Sequence, residues 1–311
     1  MIEVDSLSKF YGPRQAVKNI SFKVGKGDVV GFLGPNGAGK TTTMNILCCL
    51  IPASHGTAKV CGYDIFEQSL EIRKRIGYLP ETPPLYSDMV VTDFLVFAAK
   101  IRLVPRNKIS AAVDRVVERC GLKDVRHRIV SRLSKGYQQR VGLAQAMIHD
   151  PEILILDEPT VGLDPIQIIE IRKLIKELAA SHTIILSSHI LPEVTQICNR
   201  VIIIHEGEIA AMDSLERLTF SLRKSERLQL KVRNTSNEIA GKLNQLSKVI
   251  AVHPEEEGRF LIECELESNL QDEVARTVLE NQWGIVELKP VSMTLEDIFL
   301  KLTTVEHEVR V

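Results

Sequence analysis

Runs of apolar residues set the pattern of the first two hundred positions. Val29-Val30-Gly31-Phe32-Leu33, Ile153-Leu154-Ile155-Leu156, Thr183-Ile184-Ile185-Leu186 and Val201-Ile202-Ile203-Ile204 are apolar at nearly every position. A strand with one wet face alternates. A strand apolar throughout predicts burial on both faces, as in a parallel sheet with helices on either side. Between these runs, Met44, Leu47, Cys48 and Ile51 repeat at helical spacing, and so do Ile171, Leu174, Ile175 and Leu178. Strand alternating with helix predicts an α/β core. Residues 2–8 and 18–24 are short, β-branched and partly alternating, which predicts two strands ahead of the first run. His55-Gly56-Thr57 reads as a turn leading into Ala58-Lys59-Val60, and Arg75-Ile76-Gly77-Tyr78-Leu79 as a further strand. Pro80-Glu81-Thr82-Pro83-Pro84 then breaks regular structure. From about 92 to 149 the spacing is helical only, with Val113, Val116 and Val117 on one face and Leu143, Ala146 and Met147 on another.

Beyond about residue 220 the pattern changes. Leu228, Leu230 and Val232 alternate with polar residues, as do Phe260, Ile262, Cys264 and Leu266, which predicts strands with one wet face. Ile239, Leu243 and Leu246 mark one helix, and Leu270, Val274 and Val278 another. Val249 to Val252 and Ile285 to Leu288 supply two more strands, and Leu295, Ile298, Phe299 and Leu302 a closing helix. The order β-α-β-β-α-β is that of a split βαβ domain. The expected division is therefore 1–219, with a helical subdomain at about 88–149, followed by a small α+β domain at 220–311.

Composition narrows the class without naming a function. The 311 residues are 44% apolar and 25% charged, with a net charge of −1. This is the balance of a globular protein able to bury an ordinary core without disulfides. The near-zero charge gives no global attraction to nucleic acid, although it permits a local basic patch. No run of about eighteen apolar residues occurs, so no bilayer span is expected. Met1-Ile2-Glu3-Val4-Asp5 is acidic and lacks a signal-peptide pattern. The six cysteines show neither CxxC nor zinc-site spacing, and read as small buried hydrophobes of a reducing compartment.

The chemistry is concentrated in Gly34-Pro35-Asn36-Gly37-Ala38-Gly39-Lys40-Thr41, between the strand at 29–33 and the helix opening at Thr42. Glycines let the backbone curl so that several N–H groups converge on one anion, and the helix start adds its positive dipole end. Strand, glycine loop, helix and Lys-Thr together predict phosphate binding, with Lys40 on the outer phosphates and Thr41 on Mg²⁺. Asp157-Glu158 closes a buried strand. Alone the pair is equally an acidic cap in solvent. Behind a phosphate loop, one carboxylate holds Mg²⁺ through water and the next orients or deprotonates the attacking water.

These motifs carry a family resemblance. The chain resembles an ATP-binding cassette ATPase over residues 1 to about 215. Gly34 to Thr41 matches its Walker A motif and Ile153 to Glu158 its Walker B motif. Leu133-Ser134-Lys135-Gly136-Tyr137-Gln138-Gln139-Arg140 resembles the signature, Gly162-Leu163-Asp164 the D-loop, and Ser188-His189 the switch histidine. The signature with the D-loop makes the match specific, since several phosphate-loop families share Walker A and B. Lys135 replaces the usual first glycine of the signature and Tyr137 its glutamine, while Ser134 and Gly136 remain. Glu81 stands where the family has a Q-loop glutamine; it still accepts hydrogen bonds and approaches Mg²⁺ but cannot donate as an amide does. The stretches Tyr78-Leu79-Pro80-Glu81 with Leu85-Tyr86, and Ser292 to Leu300, are similar to type-2 exporters, in particular the bacterial gliding-motility type.

The resemblance implies a P-loop ATPase fold and two subunits facing head to tail. It implies Mg-ATP bound by Tyr11, Gly34, Pro35, Asn36, Gly37, Ala38, Gly39, Lys40, Thr41 and Thr42 of one subunit and covered by Ser134 and Gly136 of the other. Tyr11 would stack on adenine, where alone it reads as a packed aromatic. Glu158 would be the general base, and His189 would contact the γ-phosphate, where alone it reads as a structural histidine. Lys40 would serve catalysis, Asp164 would link the two sites, and Thr41, Glu81 and Asp157 would surround the metal. The expected function is an ATP-hydrolysing homodimer under a separate integral-membrane permease, peripheral to the cytoplasmic face of the plasma membrane, driving export. The alternative is a soluble ATPase of the same family acting on the ribosome or nucleic acid. Such relatives usually carry two cassettes or a coiled-coil insertion; here there is one phosphate loop and no sustained heptad run. No stable nucleic-acid partner is expected, and the exported substrate is not legible.

Overall fold

In the computed structural model, residues 1–221, 226–236, 238–265 and 270–291 are described. The expected helix at 295–302 and the Ser292 to Leu300 stretch lie outside them. The chain divides into two compact units, Met1–Ser214 and Leu215–Val311.

The first unit opens with β1 (Ile2–Tyr11) and β2 (Arg14–Val24), an antiparallel hairpin closed by Gly12-Pro13. Next come β3 (Val29–Leu33), α1 (Lys40–Leu47), β4 (His55–Val60), β5 (Tyr63–Asp64), α2 (Ser69–Arg73) and β6 (Ile76–Leu79). The helical stretch follows as α3 (Val91–Ile101), α4 (Ile109–Arg119) and α5 (Lys135–Met147), joined by short 3₁₀ turns. The unit ends with β7 (Ile153–Asp157), α6 (Pro165–Ala179), β8 (Thr183–Ser188), α7 (Leu191–Ile197), β9 (Arg200–His205) and β10 (Glu208–Ser214).

Two sheets build this unit. Strands β2-β1-β4-β5 form an antiparallel sheet, and β10-β9-β3-β8-β7-β6 a second that is parallel except for β10. Every residue of β3, β7 and β8 is buried, as the apolar runs required. A single core joins the two sheets through residues such as Phe22, Phe32, Met44, Ile155 and Ile185. On α4, Val113, Val116 and Val117 are buried, and on α5, Leu143, Ala146 and Met147.

Two local readings are corrected. The hairpin strands run to Tyr11 and from Arg14, beyond the expected 2–8 and 18–24, because the added residues Lys9, Phe10, Arg14 and Gln15 lie on partly wet faces and break the alternation. His55-Gly56-Thr57 belongs to β4 rather than to a turn: Thr57 pairs with Asp5 and His55 with Ser8 across the sheet.

The second unit holds α8 (Leu215–Ser221), β11 (Glu226–Val232), α9 (Ile239–Leu243), β12 (Val249–Pro254), β13 (Arg259–Cys264), α10 (Gln271–Glu280) and β14 (Ile285–Val291). From β11 onward the order is β-α-β-β-α-β, in an antiparallel sheet β12-β13-β11-β14. Leu228, Leu230, Phe260 and Ile262 meet Ile239, Leu243, Val274 and Val278 in one core that also holds Trp283.

Candidate functional site

Parallel strands place their C-terminal ends along one edge, and there the chemistry collects. The loop 34–39 leaves β3 beside β8 and feeds α1. Gly39 precedes the helix at φ 106°, a conformation in which a side chain is strained, and a Cβ there would strike the carbonyl of Ala16. The ammonium of Lys40 donates to the carbonyls of Gly34 (2.8 Å) and Pro35 (3.2 Å). It also pairs with Oε1 of Glu158 at 3.4 Å, both side chains being about 6–7% exposed.

Glu158 follows β7 in a left-handed conformation, φ 47°. A non-glycine residue held there stores strain of order 1–3 kcal/mol, which the surroundings offset. They do so through Ser187: the Glu158 N–H donates to its hydroxyl at 2.9 Å, and that hydroxyl donates to Oδ1 of Asp157. The other carboxylate oxygen of Glu158, Oε2, lies 2.9 Å from Nδ1 of His189. A carboxylate only accepts, so Nδ1 carries the proton in this bond. The carboxylate thus sits between a lysine and a histidine, anchored through its own backbone.

A cavity of about 550 Å³ opens over these groups. Its lining brings together Tyr11, Asn36, Gly37, Gly39, Lys40, Thr41, Thr42, Glu81, Glu158 and His189, ten of the residues singled out from the sequence, and adds Arg14, Ala16 and Val161. Gly34 and Pro35 lie behind it as acceptors for Lys40, and Ala38 is buried. Asp157 lines an adjoining groove of about 590 Å³ together with Thr41 and Glu81. Its Oδ2 is buried without a hydrogen-bond partner. A threonine and a carboxylate that line one groove, with one carboxylate oxygen unsatisfied, suit a hard divalent cation that keeps most of its waters. No cluster of three or more His, Cys, Asp or Glu fit to cage a metal occurs among the described residues.

Ser134, Gly136 and Asp164 line neither of these spaces. Ser134 caps α5, its hydroxyl accepting from Tyr137 N–H at 3.4 Å, and Asp164 caps α6, accepting from Gln167 N–H at 2.9 Å. The two caps adjoin each other: a Cβ on Gly136 would meet the Gln167 side chain, and one on Gly162 the ammonium of Lys135. Lys135, the departure from the usual signature, therefore rests on the loop that carries Asp164.

Sequence reading missed a third buried carboxylate. Glu193, on α7 and 1% exposed, accepts from Thr160 Oγ1 (2.7 Å), Ser188 Oγ (3.0 Å) and Arg172 Nη2 (3.2 Å). It ties the segment just after Glu158 to the one just before His189. An acid four residues after a histidine is unexceptional in sequence; only the fold gathers its partners.

Residues 17–161 match the family model described as ABC transporter. The bacitracin transport ATP-binding protein BcrA of Bacillus licheniformis is 36% identical over 306 residues, 97% of each chain. A solved structure described as the ATP-binding subunit of an ABC transporter is 29% identical, with a TM-score of 0.65 over 72% of this chain and 94% of that one. A dimeric post-hydrolysis state of an ATP-binding cassette, bound to ADP and Pi, shares the fold at 23% identity, with a TM-score of 0.63 over 69% of this chain and 99% of that one. A lysine, two carboxylates and a histidine gathered on a phosphate loop, in a chain matched end to end by such a relative, make this protein a member of the ABC transporter family, an ATPase that serves as its ATP-binding subunit.

Proposed function

We propose that this chain powers a bacterial exporter as a homodimer docked beneath a separate integral-membrane permease, at the cytoplasmic face of the membrane. The observation that carries this reading is the division of the site. Lys40, Glu158 and His189 share one cavity, while Ser134 and Gly136, at the start of α5, stand apart from it. A serine hydroxyl and a glycine N–H at a helix start are good phosphate donors. They become useful when a second copy brings them over the first copy's nucleotide. No described helix is long and apolar enough to cross a membrane. The full-length relative named for bacitracin transport favours export over action on ribosome or nucleic acid.

Within each half-site, loop N–H groups and Lys40 bind the phosphates and Tyr11 supports the base. Thr41 and Asp157 would hold Mg²⁺, with Glu81 beside them; the ion would neutralise charge on the β- and γ-phosphates. Glu158 accepts a proton from the attacking water, its carboxylate oriented by Ser187 through the backbone and by His189 at Oε2. Asp164 and Lys135 link the cap over the partner's nucleotide to the loop that follows Glu158. Closure on ATP and release on hydrolysis would move the permease through the groove lined by Tyr78, Pro80, Glu81 and Pro84. The C-terminal unit is assigned an accessory or regulatory role.

Glu158→Gln removes the base while keeping size, and is expected to bind ATP yet hydrolyse it at least ~100-fold more slowly. Purified with ATP from its native host, this variant is expected in membranes with one multi-spanning chain. Wild-type turnover would sink the base assignment. Recovery as a soluble dimer with ribosomes would sink export.

A further inference from the structure

Arg14 joins Lys40 as a second cationic side chain lining the nucleotide cavity. Its position follows from the hairpin. β1 and β2 are joined by Gly12-Pro13, and their register sets Tyr11 directly opposite Arg14. Directly opposed residues of an antiparallel pair project to the same side of the sheet, and both line the cavity. A Cβ built on Gly37 would lie 3.4 Å from Nη2 of Arg14, so the guanidinium rests beside the phosphate loop itself. No ion pair with a carboxylate engages Arg14 among the described residues. Lys40 lies elsewhere, held inside the loop by Gly34, Pro35 and Glu158.

We propose that Arg14 is a phosphate contact of the bound nucleotide, so that one hairpin tip presents an aromatic ring to the base and a guanidinium to the phosphates. This rests on the reading of the cavity as the ATP site. A nucleoside triphosphate carries several negative charges, and Lys40 reaches it from within the loop. Arg14 approaches across Gly37 from the hairpin. Guanidinium forks suit phosphate oxygens better than a lysine does. Because Tyr11 and Arg14 flank one two-residue turn, ordering the hairpin tip on the base orders the cation as well.

The test is a charge series at one position. Arg14→Lys, Arg14→Ala and Arg14→Glu are compared with wild type for ATP binding by calorimetry at low and high salt, with Lys40→Ala as the site control. Arg14 is exposed, and unchanged melting temperatures would verify folding. Affinity is expected to fall in the order wild type, Lys, Ala, Glu. The Ala variant should bind about tenfold more weakly at low salt, with the gap narrowing as salt rises. In hydrolysis KM rises while kcat moves little. Equal affinities across the series, or a Lys variant no better than the Ala variant, would overturn the assignment. If Lys40→Ala also binds ATP like wild type, the cavity itself has been misread. If Lys40→Ala loses ATP and the Arg14 series does not, only this inference fails.

Discussion

Removing the carboxylate of Glu193 should damage both the stability of the first unit and its turnover, and the two effects can be separated. Glu193→Ala leaves the Arg172 guanidinium without its acid and the Thr160 and Ser188 hydroxyls without their shared acceptor, in a site 1% exposed. Breaking a buried ion pair from one side costs about 3–5 kcal/mol. The stranded Thr160 hydroxyl adds about 1–3 kcal/mol, while that of Ser188 keeps the backbone of Ile190. Neighbouring losses overlap rather than add, so the expected total is about 4–6 kcal/mol. A domain has about 5–15 kcal/mol in all, so the Ala variant should be barely folded. Glu193→Gln keeps the volume and one acceptor oxygen but loses the negative charge that faces Arg172, for an expected cost of about 1.5–3 kcal/mol. Urea unfolding followed by circular dichroism reads these differences. Fluorescence of Trp283, the chain's single tryptophan, reports on the second unit. Because Thr160 and Ser188 flank Glu158 and His189 in sequence, the Gln variant should also lower kcat more than it alters KM. An Ala variant within ~1 kcal/mol of wild type would refute the claim that this carboxylate holds together the segments that carry Glu158 and His189.

Three further outcomes follow from other parts of the structure. His149, next to the guanidinium of Arg102 and with Asp150 and Arg115 nearby, has its pKa lowered to about 4, mainly by burial; since this lies below the unfolded value, the unfolded chain binds the extra proton, and stability present above about pH 6.5 is lost as pH falls toward 4, by up to about 3 kcal/mol. The pH dependence of urea unfolding should therefore be shallower in His149→Gln over that window, and parallel curves would count against it. Burial pushes the thiols of Cys120 and Cys198 up to about 12, and raises Cys48 as well. In the native protein an aromatic disulfide reagent at pH 8 should modify half-exposed Cys49 and Cys61 well before these three, as read by peptide mass spectrometry. Gly77 of β6 packs so closely on α5 that a Cβ would strike the carbonyl of Ala146 and crowd Pro151 and Leu154; Gly77→Ala should cost about 1–3 kcal/mol by overpacking, measured by thermal melting.

What the sequence made legible, and what it hid, has one physical cause. A strand buried on both faces must be apolar at every position, so β7 and β8 announced themselves in Ile153 to Leu156 and Thr183 to Leu186. The phosphate loop was legible because its requirement is local: glycines, lysine and threonine at fixed spacing between a strand and a helix. In the second unit β11 and β13 were legible because each has one wet face, and alternation records it. The edge strand β10 carries no such record. In β10 exposed and half-buried residues alternate without a buried position, and it was not anticipated. The hidden parts of the site share a different feature, that their partners are distant in sequence. Glu193 acquires its role from Thr160, Arg172 and Ser188, and Ser187 acquires its own from Asp157 and the Glu158 backbone 29 residues away. Arg14 lies between the two cases. Its place opposite Tyr11 is set by the local Gly12-Pro13 turn, yet its nearness to Gly37 exists only once β1 and β2 pack over the loop after β3. A residue whose contact partners are chosen by topology leaves no periodicity behind, so functional positions of this kind are found by asking which charges a cavity collects without using them.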